Sequence, residues 1–289
     1  MVLVKRILRK LLNHFGYTVI ANSQAAGGSG NIATPDVEKI LSDLRMAAAM
    51  HDIHRQDAAE IEELYRHFLF QDLPRREGRA HQLSDLIGTT VSEAIYVIKH
   101  LHDSLKVPGD ICEFGVAQGA TSKILASEIA PDVKRKLWLF DSFEGLPAPT
   151  KEDVLIHDIF KLGTMEKYQG TMASPESEVL SKLASIDFPR ERIKMKKGWV
   201  KDSIKGSDLP AQVAFAYVDF DFYEPIKDAL EFLDKRMPVG GKIVVDDYGF
   251  FSEGAQLAVD QFVASTDQRF TFELPLPFAG HFCTLSKIG

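Results

Sequence analysis

Cysteine is scarce in this sequence: only Cys112 and Cys283 occur among 289 residues. Two cysteines placed so far apart form neither a disulfide framework nor the spacing of a cysteine-based metal site. We therefore expect the protein to work in a reducing, cytoplasmic compartment.

Long apolar runs and an excess of basic charge are also missing. No stretch is long and apolar enough to span a bilayer, and cations interrupt the apolar runs near the N-terminus, which argues against a secretory signal. The sequence has 34 Lys and Arg against 41 Asp and Glu, a net charge of −7. This balance argues against a nucleic acid as partner, because such partners require a basic surface.

The basic charge that is present concentrates at the N-terminus. Residues 1–24 contain no acid and four bases, Lys5, Arg6, Arg9 and Lys10. Apolar residues recur opposite them at helical spacing, which predicts a basic amphipathic helix. This helix could make a peripheral contact with an anionic membrane, or it could pack on the protein body or on a second subunit.

Composition divides the chain into three predicted parts. The basic helix of residues 1–24 is followed by a glycine-rich linker and a helical arm over 25–83, and by a larger domain over 84–289. We expect the arm to be helical over 36–70, with a break near Arg55–Asp57, and 71–84 to be a charged connection.

From residue 84 onward, short apolar strands alternate with amphipathic helices. This alternation predicts an α/β domain with a mostly parallel sheet covered on both faces. The last two strands, "FTFELP" and "HFCTLSK", are joined by a short loop and predict an antiparallel hairpin at the sheet edge. Ligands of such sheets bind at the carboxyl ends of the strands.

The turn after the first strand, "CEFGVAQGATS", lacks the G-x-G-x-x-G pattern of dinucleotide-binding proteins. Glu113 precedes this turn and would repel a pyrophosphate, whereas it suits a cofactor with a positive amino group such as S-adenosylmethionine. Asp141 ends the second strand, where an acid can accept hydrogen bonds from a ribose. Gly115 and Gly119 would let a ligand approach the backbone. Alternatively, Glu113 forms an ion pair with a lysine and Asp141 caps the segment that follows.

Aspartates follow two later strands of one β-α-β unit. Asp219 ends "VAFAYVD", and Asp246 and Asp247 end "KIVVDD". One right-handed crossover places these strand ends together, and an all-carboxylate group favours Mg²⁺, with Mn²⁺ or Ca²⁺ as substitutes. Asp221, two residues after Asp219, could be a base or an outer acceptor. The alternatives are solvated loop aspartates and, for Asp221, a helix cap.

The histidines show no metal-binding spacing along the sequence. We therefore interpret the later ones as packing or surface residues: His81, His100, His102, His157 and His281.

Five motifs occur in order: "PGDICEFGVAQGATS", "LWLFDSFEGLPAP", "KKGWVKDSI", "YVDFDFYEPIKDAL" and "VGGKIVVDDYG". Together they resemble the macrocin-type (TylF-like) O-methyltransferases over roughly residues 84–265. The resemblance implies a Rossmann-like class I methyltransferase sheet and methyl transfer from S-adenosylmethionine to a sugar hydroxyl with a divalent metal. It also implies a small sugar-containing acceptor, a homo-oligomer and a lid over 148–175.

The resemblance assigns roles to particular residues. By position, Asp219, Asp246 and Asp247 would hold the metal. For the reaction itself, we expect Asp219 or Asp221 to accept the proton. The expected cofactor-binding set is Thr89, Glu113, Gly115, Val116, Gly119, Thr121, Asp141, Ser142 and Trp199.

The sequence also departs from the family pattern. Ala117-Gln118-Gly119 replaces the usual Trp-Arg-Gly, and Phe220 replaces a glycine that often separates the two aspartates. Three other functions remain open: a catechol-type methyltransferase, a non-catalytic cofactor-binding scaffold and, opposed by Glu113, a nicotinamide dehydrogenase.

Overall fold

A computed structural model describes residues 37–289, so the predicted N-terminal helix and most of the linker lie outside the described residues. The helices are α1 (Val37–Phe68), α2 (Arg79–Ser84), α3 (Val91–Ser104), α4 (Ala120–Ile129), α5 (Glu176–Ala184), α6 (Val200–Ser203), α7 (Tyr223–Asp234) and α8 (Glu253–Ser265). The strands are β1 (Asp110–Phe114), β2 (Leu137–Asp141), β3 (Ile193–Lys197), β4 (Val213–Val218), β5 (Lys242–Val245), β6 (Phe270–Glu273) and β7 (Cys283–Lys287). Within the described part of the chain, no helix combines the length and apolarity needed to cross a bilayer.

The seven strands form one sheet in the order β3-β2-β1-β4-β5-β7-β6. Strands β1 to β5 are parallel, while β7 pairs antiparallel with both β5 and β6. The predicted parallel sheet and antiparallel edge hairpin are therefore confirmed. The order of the strands reverses between β1 and β4, and parallel sheets of this kind bind ligands at that point.

Each face of the sheet is covered by an apolar core. Helices α7 and α8 cover one face with side chains that include Ile226, Leu230 and Val259. Helices α3 and α4 cover the other with Val97 and Leu125 among the buried residues. Strands buried on both faces need continuous apolar runs, which explains why β4 reads "VAFAYV".

The arm is more regular than the sequence predicts. Helix α1 continues through Arg55–Asp57 without the predicted break, because no proline or glycine interrupts it there. The 71–84 connection is not merely a charged linker, since it contains α2 and a fully buried Arg79.

Arg79 joins three helices through charged groups. It donates to Glu62 of α1 at 2.7 Å and to both oxygens of Glu128 of α4 at 2.8 and 2.9 Å. Glu128 also lies 2.8 Å from His102. The end of α1 thus packs against residues of the following domain through Arg79 and through a small apolar cluster that includes Ala58 and Ile95.

Candidate functional site

A cavity of about 1070 Å³ opens at the carboxyl ends of β1, β2, β4 and β5. Its walls are formed by the turn after β1, by the ends of β4 and β5, and by the long segment that follows β2. Single-ligand pockets usually enclose about 300–1,000 Å³, so this cavity can hold a cofactor together with an acceptor.

Glu113 lies at the end of β1 and borders the cavity although it is 1% exposed. The Ser122 hydroxyl of α4 donates a short hydrogen bond to it. The pKa of Glu113 is raised to about 8, mainly by burial; the Ser122 hydrogen bond opposes this increase, and the charge of Asp141 contributes a smaller part of it. Within the described residues no lysine pairs with Glu113, so the carboxyl group is available to a positive ligand group.

Asp141 organises the turn after β1. One of its oxygens accepts hydrogen bonds from the Val116 and Ala117 amides at 2.7 and 3.1 Å, and the other accepts from the Phe143 amide at 2.6 Å. The capping alternative is therefore correct, and one remaining lone pair, on Oδ1, can still accept from a ligand. Because Asp141 binds these turn amides, they are not free to bind a phosphate.

The two glycines of the turn make room for protein atoms. A Cβ on Gly115 would lie 1.6 Å from the Asp219 carbonyl oxygen, and one on Gly119 would lie 3.0 Å from Val179. Both residues also have a positive φ, 85° and 79°, which other residues rarely adopt. Close packing of the turn against the end of β4 and against α5 requires glycine at both positions. Gly115 also borders the cavity, and the approach of a ligand to its backbone stays a prediction.

The other predicted cofactor residues lie around the same cavity. They come from four separate elements and are Thr89, Val116, Thr121, Ser142 and Trp199. The structure therefore brings the predicted cofactor-binding residues to one cavity with the exception of Gly119, which does not line it.

Three carboxylates meet at the ends of β4 and β5. Asp219, Asp221 and Asp247 each offer an oxygen, and these oxygens all lie within 4.8 Å of one another. The register pairs Val218 with Val245, so the residues after these strands leave the sheet at the same level. Asp221 and Asp247 have φ angles of 61° and 57°. Such strained backbone at non-glycine residues is typical of functional sites.

Burial and mutual repulsion act on all of these groups. Burial raises the pKa of Asp219 and Asp221 well above the usual value, and the neighbouring carboxylates raise it further. Burial and then the charge of Asp246 raise the pKa of Asp247 to about 7. A cation between the carboxylates would relieve this repulsion.

Asp246 was predicted to be one of the three metal ligands, but the structure groups Asp221 with Asp219 and Asp247 instead. Its Oδ2 accepts a 2.9 Å hydrogen bond from the Tyr217 hydroxyl, and its Oδ1 accepts one of 2.8 Å from the Asp247 amide. The Tyr217 oxygen also lies 3.0 Å from Glu93 of α3, a residue that is 3% exposed. The sequence did not reveal Tyr217 or Glu93, although a glutamate on the apolar face of α3 is a signal that could have been noticed.

The segment after β2 covers the cavity, as the lid prediction expects. Asp153 anchors it: Oδ1 accepts from the Tyr223 amide at the start of α7 at 2.7 Å, and Oδ2 accepts from Thr150. Gly254 is needed beside it, because a Cβ there would lie 2.1 Å from the Asp153 carboxylate. The alternative that Asp221 caps α7 is thus wrong, because Asp153 caps it.

Two histidines stand beside the cavity. The ring of Phe250, which lines the cavity, lies 4.4 Å from the ring of His281 and 4.9 Å from that of His157. Both histidines therefore pack against an aromatic ring, as predicted. His100 is buried, which lowers its pKa to about 3.

Proteins of similar sequence and fold are known. Two curated relatives are 31% identical to this chain. One is 8-demethyl-8-(2,3-dimethoxy-alpha-L-rhamnosyl)-tetracenomycin-C 4'-O-methyltransferase of Streptomyces olivaceus, matched over 49% of this chain and 54% of its own length. The other is demethyldecarbamoylnovobiocin O-methyltransferase of Streptomyces niveus, matched over 56% and 60%. The chain thus spans somewhat more than half the length of these relatives.

Two solved structures share the fold. The O-methyltransferase NovP superposes with a TM-score of 0.59 at 24% identity and covers 69% of this chain and 81% of its own. The calicheamicin methyltransferase CalS11 gives a TM-score of 0.53 at 20% identity and covers 91% and 99%.

The family model described as macrocin-O-methyltransferase (TylF) matches residues 48–271. This match begins well before residue 84, so it includes most of the arm that the motifs left out. The motif order, the sheet and the family match agree, and the chain belongs to the macrocin O-methyltransferase (TylF) family.

Proposed function

We propose that this protein transfers a methyl group from S-adenosylmethionine to a hydroxyl of a sugar-containing small molecule, with a divalent cation at the carboxylate group. One observation carries the proposal: a single cavity borders both the Glu113–Asp141 end of the sheet and the three carboxylates at β4 and β5. A methyltransferase needs a cofactor and an acceptor side by side, and positioning them supplies much of the rate.

The Glu113 end suits S-adenosylmethionine better than a nicotinamide dinucleotide. A buried carboxyl group can bind the ammonium of the methionine part, and Asp141 retains one lone pair on Oδ1 for a ribose hydroxyl. The turn amides of Val116 and Ala117 are already bound by Asp141, so these two donors are not available to a pyrophosphate. Trp199 and Thr89 border the same space and offer an indole and a hydroxyl to the cofactor.

The carboxylate end suits Mg²⁺. Asp219, Asp221 and Asp247 supply oxygen donors only, the set that hard divalent cations prefer. A cation held there would bind the acceptor hydroxyl, lower its pKa and orient it. Asp219 or Asp221 accepts the proton, because both carboxylates border the cavity beside the place where the acceptor hydroxyl would bind.

The remaining walls suggest an acceptor with an apolar part. Apolar side chains also line the cavity: Leu146, Pro147, Ile159, Phe160 and Phe250. The curated relatives are named for methylating glycosylated natural products or a related antibiotic precursor. A sugar placed at the carboxylates, with its aglycone against these walls, fits this arrangement.

A phenolic diol is the second candidate acceptor. Phe160, Phe222 and Phe250 border the cavity, and their rings could stack on a flat aromatic substrate. A catechol-type reaction would then use the same cofactor and carboxylates.

The test is an acceptor screen with methyl-labelled S-adenosylmethionine over glycosides, nucleotide sugars and catechols. We expect transfer to a glycoside, its loss in EDTA and its return with Mg²⁺. Transfer to catechols alone would select the phenolic alternative. Cofactor binding without transfer to any acceptor would favour a scaffold, and full activity with metal confirmed absent would refute the role of the cation.

A further inference from the structure

A second group of potential metal ligands lies outside the cavity. His51 of α1, His81 of α2 and Asp85, which ends α2, each offer a ligand atom within 4.8 Å of the other two. His51 Nε2 lies 3.0 Å from Asp85 Oδ1, and His81 Nε2 lies 3.9 Å from Asp85 Oδ2. The sequence hides this group, because His51 is contributed from 30 residues before His81.

We propose that His51, His81 and Asp85 form a binding site for Zn²⁺ or a similar first-row transition metal ion. Zinc ligands lie about 2.0–2.2 Å from the ion, so tetrahedral ligands are about 3.3 Å apart. The separations of 3.0 and 3.9 Å, measured from the two histidines to the two oxygens of Asp85, bracket that value. Two imidazoles and one carboxylate with an open fourth position are a common zinc set.

This donor set differs from the group at the ends of β4 and β5. Imidazole nitrogen suits zinc, copper and nickel, whereas carboxylate oxygens alone suit magnesium. The two groups should therefore select different ions. Solvent can also reach the new site, since the His81 side chain is 52% exposed and those of His51 and Asp85 are about one-third exposed.

One neighbouring cation competes for the site. Lys123 Nζ of α4 lies 3.5 Å from Asp85 Oδ2. An arriving metal ion would take over this carboxylate oxygen and displace the ammonium. Removing the lysine charge should therefore strengthen metal binding, which a purely structural His–Asp contact would not predict.

The proposed zinc site lies close to one edge of the cavity, so an ion bound there should affect that edge. Asp85 lies two residues before Ile87, which borders the cavity together with Gly88 and Thr89. The Gln118 side chain donates to the Ile87 carbonyl at 3.3 Å. A metal ion would join α1 to the end of α2 and restrain this edge. Cofactor binding and zinc binding should then influence each other.

The experiment is a calorimetric titration of the full chain with Zn²⁺ in excess Mg²⁺, so that Mg²⁺ occupies the oxygen-only group. We expect one zinc ion per chain. His81→Ala and Asp85→Asn should each weaken zinc binding at least about tenfold, and Lys123→Met should strengthen it. His54→Ala is the matched control, since His54 is an exposed histidine one turn along α1.

One further variant and a measurement of thermal stability separate this site from the catalytic proposal. Asp219→Asn should leave zinc binding unchanged, while a zinc-dependent rise in Tm should disappear in His81→Ala. Loss of the zinc ion in Asp219→Asn, or equal zinc affinity in the parent, His81→Ala and Asp85→Asn, would overturn the proposal. Neither result depends on methyl transfer, so the proposed function could fail while this inference holds.

Discussion

At the residue scale, Glu113 should exchange a proton when the cofactor binds. Its pKa of about 8 means that it is mostly protonated at pH 7 in the ligand-free protein. A neighbouring ammonium favours the ionised carboxylate, so binding of S-adenosylmethionine should release close to one proton at pH 7 and almost none well above pH 8. Calorimetry in buffers of different ionisation enthalpy measures this number.

Glu113→Gln should abolish the proton release and weaken cofactor binding, while Glu144→Gln, an exposed control in the segment after β2, should do neither.

Glu113→Gln also tests the stability of the ligand-free protein. A folded pKa raised from 4.5 to about 8 gives stability below pH 4.5 that is lost as pH rises to about 8. Denaturant unfolding should therefore show that Glu113→Gln gains stability over the parent, by a few kcal/mol across this range. An unchanged proton count would contradict the assignment.

The carboxylates make a second prediction at this scale. The structure groups Asp221 with Asp219 and Asp247, whereas Asp246 is bonded to Tyr217. Asp221→Asn should therefore lower Mg²⁺ affinity at least about tenfold, and Asp246→Asn should lower it less. Calorimetry on metal-free protein with S-adenosylhomocysteine bound gives both affinities. The reverse order would mean that Asp246 is the third ligand, as the sequence suggested.

At the scale of elements, Asp153 holds the segment after β2 on the start of α7. Asp153→Ala removes a buried cap and leaves the Tyr223 amide without its partner, so we expect a loss of about 1–2 kcal/mol in the free energy of unfolding. The segment over 148–160 should exchange its amide hydrogens faster, and KM for the acceptor should rise. Lys151→Ala, two residues away and exposed, is the control. Unchanged exchange and KM would show that the segment does not depend on this anchor.

At the scale of the whole molecule, Arg79 connects the arm to the domain. Burial alone would raise the pKa of Glu128, but hydrogen bonds from His102 and Arg79 lower it overall. Arg79→Met would leave Glu62 and Glu128 without their shared partner, so we expect a loss of about 3–5 kcal/mol at neutral pH. Arg75→Met, at an exposed position, should cost little.

The pH dependence of this effect has a definite sign. Because the folded pKa of Glu128 is lowered, its contribution is present above the ordinary value of 4.5 and is lost as pH falls below it. Denaturant unfolding should show the difference between parent and Arg79→Met shrinking in acid. A constant difference from pH 7 down to acid would indicate that lost packing, rather than charge, causes the effect.

Much of the domain could be predicted from the chain alone. Apolar runs such as "VAFAYV" predict buried strands, because a strand covered on both faces has no polar side to show. The carboxylates at the ends of β4 and β5 follow from one crossover between parallel neighbours, and the family could be recognised from the order of its motifs. These features depend on local periodicity and on residues at strand ends, which sequence records directly.

Other features were decided only in the folded molecule. The sequence gives no sign that the Asp219 carbonyl, more than 100 residues later, also requires glycine at position 115. The Tyr217 hydroxyl donates to Asp246, which is not one of the three grouped carboxylates. Asp153 caps α7, and His51 of α1 lies close to His81 of α2. The sequence determined the sheet, its ligand-binding edge and the types of donor at that edge. Tertiary structure decided which donors meet, because distances of about 3 Å between side chains depend on packing between segments far apart in the chain.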